Sequence, residues 1–111
     1  MSEALRQDDN RAQAAFDAKA QEWDVYSRAP LGRLRCDLTL HYLGRHLQDR
    51  PKPLTILDAG AGTGNYALPL ARQGHHVCLL DFSARMLDLA RQNAASLDPA
   101  LLERLEFWSY A

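Results

Sequence analysis

The sequence predicts an α/β fold in which a parallel sheet is flanked by helices, and two observations lead to that fold class. Short apolar segments, LTILD, VCLLD and LEFWSY, alternate along the chain with segments of helical period. Such an alternation is typical of parallel strands joined by right-handed helical crossovers. A glycine-rich stretch, residues 60–64, also stands between the first apolar segment and the next helix, where open α/β sheets bind ligands.

Length and composition limit the fold to one domain and exclude several classes of protein. With 111 residues the chain is short for a complete doubly wound sheet, so we expect an incomplete sheet of the first three strands. Hydrophobic residues make up 47% and charged residues 24%, as in ordinary globular proteins. The net charge of -1 gives no electrostatic indication of nucleic-acid binding.

The sequence predicts no signal peptide and no membrane span. The first ten residues lack an apolar core, and no apolar run approaches roughly 18 residues. We therefore expect a cytoplasmic protein. Cys36 and Cys78 have no C-x-x-C spacing, so we predict neither a metal site nor a disulfide, but two buried, reduced thiols. His75 and His76 are expected to be ordinary loop residues.

Residues 1–50 predict a helical amino-terminal segment. The apolar residues of RAQAAFDAKAQEWDVY recur at helical spacing and indicate an amphipathic helix over residues 11–26. The stretch SRAPLG predicts a loop, after which a second helix runs to about Gln48 and ends before the proline-rich RPKP.

Residues 51–111 predict the sheet and its crossover helices. LTILD and VCLLD are apolar along most of their length, so each is predicted to be a strand buried on both faces. Between them, NYALPLARQG predicts a helix that Gly74 closes. Ser83 is a suitable N-cap for the next helix, ARMLDLARQNAA, and LEFWSY predicts the third strand.

A ligand site is predicted where the first two strands end. Asp58, Gly60, Gly62 and Gly64 form the pattern D-x-G-x-G-x-G directly before a helix, a context in which glycines let a ligand approach the backbone. Asp81 ends the second strand and follows the first glycine by about 20 residues, the spacing at which a carboxylate accepts hydrogen bonds from ribose. The alternative role of Asp81 is a negative charge that stabilises the following helix.

The glycine spacing and Asp58 discriminate between nucleotide cofactors. In a dinucleotide fingerprint the third glycine comes three positions after the second, whereas Gly64 comes two positions after Gly62. A carboxylate near a pyrophosphate would also be repelled by roughly 1 to 4 kcal/mol. S-adenosylmethionine carries a sulfonium and an ammonium and no phosphate, so the acidic strand end predicts this cofactor rather than NAD.

With LDAGAGTGNYALPLA and LLDFSARMLDLAR, the sequence resembles the class I, Rossmann-like S-adenosylmethionine-dependent methyltransferases over about residues 54–95. LEFWSYA is similar to the third strand of that family. The resemblance implies that the loop residues Gly60, Ala61, Gly62 and Gly64 lie beside the methionine moiety of the cofactor.

The same resemblance implies roles for four further side chains. Asp81 would hold the ribose, Phe82 would pack near the adenine, and Asp58 would order the loop or a water near the ammonium group. Met86 would contact the cofactor. For Phe82 and Met86 the alternative is an ordinary place in the core.

The amino-terminal segment resembles a narrower group. FDAKAQEWDVY followed by LGRLRCDL is similar to the opening of the bacterial tRNA 5-carboxymethoxyuridine methyltransferases. The resemblance implies that residues 1–50 form a lid over the cofactor and that Arg35 meets the cofactor carboxylate, which suits a fork-shaped guanidinium. It also implies a modified tRNA as the methyl acceptor. A solvated Arg35 and a small-metabolite acceptor are the alternatives.

The predicted reaction is methyl transfer by in-line displacement, which depends on positioning more than on acid or base catalysis. No catalytic residue is predicted, because in the resembled family the acceptor-side residues come from later strands and loops. We therefore expect residues 1–111 alone to be inactive. The alternatives are a non-catalytic cofactor-binding or interaction module and, less favoured, a nicotinamide-dependent oxidoreductase.

The predicted strand order, 3-2-1, leaves the outer edge of LTILD without a neighbour. An apolar edge with unpaired backbone groups invites pairing with another chain. We therefore expect that the chain is part of a longer methyltransferase, or else that it forms a homodimer through this edge.

Overall fold

The computed structural model describes residues 2–110 and contains one three-stranded sheet. Two long helices come first and the sheet follows. In chain order the elements are α1 (Glu3–Arg28), α2 (Pro30–Leu47), β1 (Thr55–Ala59), α3 (Ala67–Arg72), β2 (His76–Asp81), α4 (Ala84–Leu97), a 3-10 helix (Pro99–Arg104) and β3 (Leu105–Ser109).

The sheet has the predicted order and direction. Its strands lie in the order β1-β2-β3, and both neighbouring pairs are parallel. Val77 of β2 pairs with Ile56 on one side and with Leu105 on the other. The α/β prediction, with three parallel strands and flanking helices, is therefore confirmed.

The two faces of the sheet differ in burial. Val77 and Leu79 are buried at 2% and 0% exposure, whereas Leu57 and Trp108 on the opposite face are 63% and 59% exposed. The prediction that LTILD and VCLLD are buried on both faces is therefore wrong for residues 2–110. Within that range, helices α3 and α4 cover one face only, so alternate side chains of each strand stay accessible.

Both amino-terminal helices begin earlier than predicted. Ser2 caps α1, since its Oγ accepts a hydrogen bond from the Leu5 N–H at 3.3 Å. Helix α2 begins at Pro30, inside the predicted loop, because proline is well tolerated at the first position of a helix. Gly32 lets the two helices meet closely: a Cβ there would lie 2.4 Å from the carbonyl oxygen of Tyr26.

The core lies between the sheet and helices α3 and α4. The predicted N-cap is confirmed, since Ser83 Oγ accepts from the Met86 N–H at 3.2 Å. The buried cluster consists mainly of Ala67, Leu70, Ala71, Val77, Leu79, Leu87, Ala90, Ala94 and Leu101.

Three of the predicted loop and thiol assignments change. His75 is buried, and its Nδ1 accepts a hydrogen bond from the Leu54 N–H at 3.0 Å, so it fixes the chain where β1 begins. Cys36 and Cys78 are half-buried rather than buried, because the surfaces on which they lie are only partly covered. Among residues 2–110, no helix has the length and apolar character to span a membrane, and no cluster of side chains is suited to a metal ion.

Candidate cofactor site

The glycine loop, residues 60–64, is held against the end of β2 by hydrogen bonds. The N–H groups of Gly60 and Ala61 donate to the carbonyl oxygen of Leu80 at 2.7 and 3.1 Å. The Gly62 N–H donates to Asp81 Oδ2 at 2.8 Å. The loop is therefore fixed by the neighbouring strand without any ligand contact.

Two glycines of this loop serve different purposes. Gly64 has a φ of 89°, and a Cβ there would lie 2.4 Å from Leu68 Cδ1, so the residue allows close packing of the loop on α3. Gly60 has a φ of 76°, and a Cβ would meet nothing within 4 Å. A left-handed conformation favours glycine at both positions, but only Gly60 faces open space.

Both carboxylate oxygens of Asp81 accept hydrogen bonds from the backbone. The residue is 9% exposed. Its Oδ2 accepts from Gly62, and its Oδ1 accepts from the Ser83 N–H at 2.9 Å. Asp81 thus ties the glycine loop to the start of α4. The bond to Ser83 agrees with the helix-stabilising alternative, while the ribose role stays a prediction.

The carboxylate of Asp58 is in the opposite situation. Its Oδ2 is buried and has no hydrogen-bond partner among residues 2–110. Burial, and secondarily the charge of Asp81, raise the pKa of Asp58. The sequence predicts two roles for Asp58. The first, ordering the loop, is performed by Asp81, which accepts a hydrogen bond from Gly62. An unpartnered buried carboxylate oxygen fits the second role, an interaction with a cationic group or its water.

Helix α1 lies across the carboxyl ends of the strands. Phe82 contacts Phe16 of α1 edge-on at 5.4 Å between ring centroids, and it stacks on Tyr110 at 6.0 Å. The indole nitrogen of Trp23 lies 3.6 Å from where a Cβ on Gly62 would be. The face of α1 that sequence periodicity predicts to be apolar is therefore the face turned towards the site.

Polar contacts also fasten α1 to this end of the sheet. Ser83 Oγ donates to Asp17 Oδ1. Asn93 Nδ2 donates to Asp24 Oδ1 at 2.9 Å and to the carbonyl oxygen of Thr63 at 3.3 Å. The helix is thus connected both to α4 and to the glycine loop.

Met86 and Arg35 occupy contrasting environments. Met86 is 6% exposed and packs with Ala20 and Leu89 between α1 and α4. This environment agrees with the alternative prediction, in which Met86 has an ordinary place in the core. Arg35 lies exposed on α2, and its Nη1 donates to the Tyr26 hydroxyl at 3.5 Å. That hydrogen bond, and to a smaller extent the nearby Tyr66, raise the pKa of Arg35.

Sequence reasoning missed several residues that the fold brings to the site. Asp17, Trp23 and Tyr26 come from α1, and Tyr110 follows β3. The helical period indicated the inward face of α1, but not which element it covers. Contacts between residues so far apart in sequence follow from the tertiary fold, for which a local pattern gives no signal.

Comparison with known proteins decides the family. A family model described as a methyltransferase domain matches residues 56–108. The tRNA 5-carboxymethoxyuridine methyltransferase of Escherichia coli (strain K12) is 44% identical over 82 residues, which cover 71% of this chain and 31% of that protein. Residues 56–108 therefore form part of a methyltransferase domain of the class I, Rossmann-like fold.

Other methyltransferase relatives agree. Malonyl-[acyl-carrier protein] O-methyltransferase of Pseudescherichia vulneris is 37% identical over 83 residues, 75% of this chain and 30% of the relative. The chain therefore spans about a third of the length of these curated methyltransferases, the shares being 31% and 30%.

Solved methyltransferases share the fold. Magnesium protoporphyrin IX methyltransferase from Synechocystis PCC 6803, with bound SAH, superposes with a TM-score of 0.67 at 21% identity over 94% of this chain and 52% of that chain. The glycopeptide N-methyltransferase MtfA complexed with S-adenosylmethionine gives a TM-score of 0.55 at 20% identity, covering 66% of this chain and 32% of that one. Both likenesses support the Rossmann-like methyltransferase fold.

Proposed function

We propose that the chain supplies the cofactor site of an enzyme that transfers a methyl group from S-adenosylmethionine by in-line displacement. The observation that carries the proposal is the buried, unpartnered Oδ2 of Asp58 beside the open position at Gly60. A carboxylate in that place favours a cationic ligand and disfavours a pyrophosphate.

The predicted contacts other than Met86 each have a place in this proposal. The loop residues Gly60 to Gly64 lie beside the methionine moiety, and Asp58 faces its ammonium group. Asp81 accepts from the ribose hydroxyls with lone pairs that its two backbone bonds leave free. Arg35 pairs with the cofactor carboxylate through its fork of donors. Phe82, between Phe16 and Tyr110, forms the aromatic wall near the adenine.

The chemistry of this chain is positioning. When bound, S-adenosylmethionine supplies an electrophilic methyl group on a sulfonium, which is already a good leaving group. The side chains of α1 exclude water from the strand ends, and the fixed glycine loop needs no rearrangement on binding. We assign no general base and no catalytic residue to residues 2–110.

Residues 1–50 act as the lid in this proposal. Helix α1 crosses the site through Phe16 and Trp23, and the Asp24–Asn93 contact fastens it to α4. A cytoplasmic location remains part of the proposal.

A modified tRNA is the proposed methyl acceptor. The support is the 44% identity to a tRNA 5-carboxymethoxyuridine methyltransferase, together with the similar amino-terminal segment. A small metabolite is the alternative. Radiolabel transfer from S-adenosylmethionine to total tRNA, with a small-molecule extract as the parallel acceptor, distinguishes them when applied to a polypeptide that is active.

The free edge of β1 is the proposed pairing surface for another strand. Strand β1 is the outer strand of the three described, and its far edge has no neighbour in residues 2–110. For the 111-residue polypeptide in isolation, pairing with the same edge of a second copy would satisfy these backbone groups. Sedimentation equilibrium tests this: a dimer is expected, and a stable monomer at high concentration would contradict it.

Calorimetric titration of the 111-residue chain tests the cofactor assignment. S-adenosylhomocysteine and S-adenosylmethionine should bind more tightly than NAD, because Asp58 attracts an ammonium and repels a pyrophosphate. Equal or tighter binding of NAD would refute the assignment. Tight cofactor binding without methyl transfer by any longer form of the protein would instead favour a non-catalytic cofactor-binding module.

A further inference from the structure

Helices α1 and α2 meet in a tight corner, because Ala29 is the one residue between them. Gly32 lies in the first turn of α2 and packs against the end of α1. A Cβ on Gly32 would lie 2.4 Å from the carbonyl oxygen of Tyr26, so any other residue would push the two helices apart. The corner therefore fixes the backbone of Tyr26 relative to the first turns of α2.

The side chain of Tyr26 is connected to the glycine loop through Trp23. The two rings lie 5.7 Å apart between centroids, within the range of aromatic pairs. The indole nitrogen of Trp23 lies 3.6 Å from where a Cβ on Gly62 would be. The hydrogen bond from Asn93 to Asp24, at 2.9 Å, holds this turn of α1 on α4. The Tyr26 ring is therefore placed beside the loop by contacts that do not involve α2.

Arg35 of α2 reaches back across this corner to Tyr26. Its Nη1 donates to the Tyr26 hydroxyl oxygen at 3.5 Å, the long end of the range for such a bond. The Tyr26 hydroxyl, and to a smaller extent Tyr66, raise the pKa of Arg35, and Tyr66 comes shortly after the glycine loop. No carboxylate forms an ion pair with Arg35 in the described part of the chain. The guanidinium therefore has a neutral partner and an unpaired charge beside residues that adjoin the loop.

We propose that Tyr26 is a positioning residue, whose hydroxyl orients the Arg35 guanidinium for the carboxylate of the cofactor. The inference rests on the proposed function, in which Arg35 pairs with that carboxylate. A neutral hydroxyl fixes the direction of one N–H group and leaves the charge available, whereas a carboxylate partner would compete with the ligand. A long arginine side chain loses rotamer freedom on binding, and a contact that already restricts it lowers that cost.

Calorimetric titration of the 111-residue chain with two ligands tests the inference. The first is S-adenosylhomocysteine, and the second is its decarboxylated analogue, which keeps the adenosyl and ammonium groups. Tyr26→Phe keeps the ring beside Trp23 and loses the hydroxyl alone. It should bind S-adenosylhomocysteine about three- to ten-fold more weakly, and the analogue within about two-fold of the wild type. The matched control is Tyr42→Phe on the exposed face of α2, which should bind both ligands within about two-fold of the wild type.

A double-mutant cycle separates positioning from a merely structural role of Tyr26. Arg35→Ala should bind S-adenosylhomocysteine about ten-fold more weakly or worse, because it loses a charged hydrogen bond. In the Arg35→Ala background, Tyr26→Phe should change that affinity by less than about two-fold, since Tyr26 acts only through Arg35. Additive effects of the two substitutions, or equal weakening of both ligands by Tyr26→Phe, would overturn the inference.

The same titrations distinguish failure of this inference from failure of the proposed function. If Arg35→Ala weakens binding of S-adenosylhomocysteine but not of the analogue, while Tyr26→Phe changes neither, Tyr26 does not position Arg35 and the proposed function stands. If the wild type binds neither ligand, the proposed function is refuted and the inference falls with it. If Arg35→Ala binds S-adenosylhomocysteine as tightly as the wild type, Arg35 has no carboxylate to meet, and the inference is overturned while the remaining cofactor contacts stand.

Discussion

Two aspartates stand at the carboxyl ends of neighbouring strands, yet they meet opposite surroundings. Asp81, at the end of β2, accepts from the N–H groups of Gly62 and Ser83 at 2.8 and 2.9 Å. Asp58, in β1, has a buried Oδ2 without a partner in the described residues and a raised pKa. The same residue type therefore holds the site together in one strand and is left available in the other.

Under the proposed function, this difference leaves one carboxylate for the ligand. A buried polar atom without a partner is costly, and it persists where another group is to meet it. Because Asp81 fixes the glycine loop through the Gly62 N–H, the loop does not need Asp58 for its shape. The unpartnered oxygen of Asp58 can then be reserved for a cation.

The largest effect is expected for Asp81→Ala. Affinity for S-adenosylhomocysteine should fall by about 1.5 to 3 kcal/mol, the usual value of a hydrogen bond to a charged group. The free energy of unfolding should fall as well, because the N–H groups of Gly62 and Ser83 lose their acceptor. Calorimetric titration and urea unfolding measure the two quantities.

Asp88→Ala is the matched control for that variant. Asp88 lies exposed on α4, so both quantities should change by less than about 0.5 kcal/mol. A fall in stability at unchanged cofactor affinity in Asp81→Ala would assign Asp81 to the helix start and the loop alone. The ribose role would then be refuted.

Asp58→Asn should weaken cofactor binding less than Asp81→Ala does, and its effect on stability should have the opposite sign. Asp58→Asn should weaken S-adenosylhomocysteine binding by about 1 kcal/mol, because the amide oxygen keeps a dipole and loses the charge. The free energy of unfolding at neutral pH should stay equal or rise, since a partly buried ionised group is removed. If Asp58→Asn destabilised the fold as Asp81→Ala does, the contrast between the two residues would be wrong.

The sheet half of the chain was predictable because its signals are local. The strand, glycine loop and helix from Leu54 to Gly74 follow from short patterns, and the N-cap at Ser83 from one residue type. The strand order came from the arrangement that is typical of doubly wound sheets.

Burial of the strands was not predictable from their apolar residues. Leu57 and Leu79 look alike in sequence, but only Leu79 lies beneath the helices. An apolar strand shows that both faces suit burial. It does not show that residues 2–110 contain the elements that cover both faces. The curated relatives, of which the chain spans 31% and 30%, are about three times as long and contain further residues.

The proposed lid depends on contacts that no local pattern encodes. Phe16 of α1 and Phe82, which follows β2, are distant in sequence and are brought together by the tertiary fold. The helix start at Pro30 was missed for a local reason, because a proline signals both a loop and the first turn of a helix.

The smallest effect, the pH dependence, gives the sharpest test of the contrast. Burial, followed by the charge of Asp81, raises the pKa of Asp58 above that of an unfolded aspartate. Between the two pKa values the folded chain binds more protons than the unfolded chain, so stability contributed by protonated Asp58 is lost as pH rises through the raised pKa. Binding of the cofactor ammonium should strengthen over the same window, because ionised Asp58 attracts it.

Urea unfolding and calorimetric titration of the wild type and Asp58→Asn between about pH 4 and pH 7 measure both slopes. In Asp58→Asn, the contribution of Asp58 to the pH dependence of stability and of cofactor binding should be absent. Identical slopes in the two proteins would show that another group titrates and that Asp58 is not the carboxylate that awaits the cation.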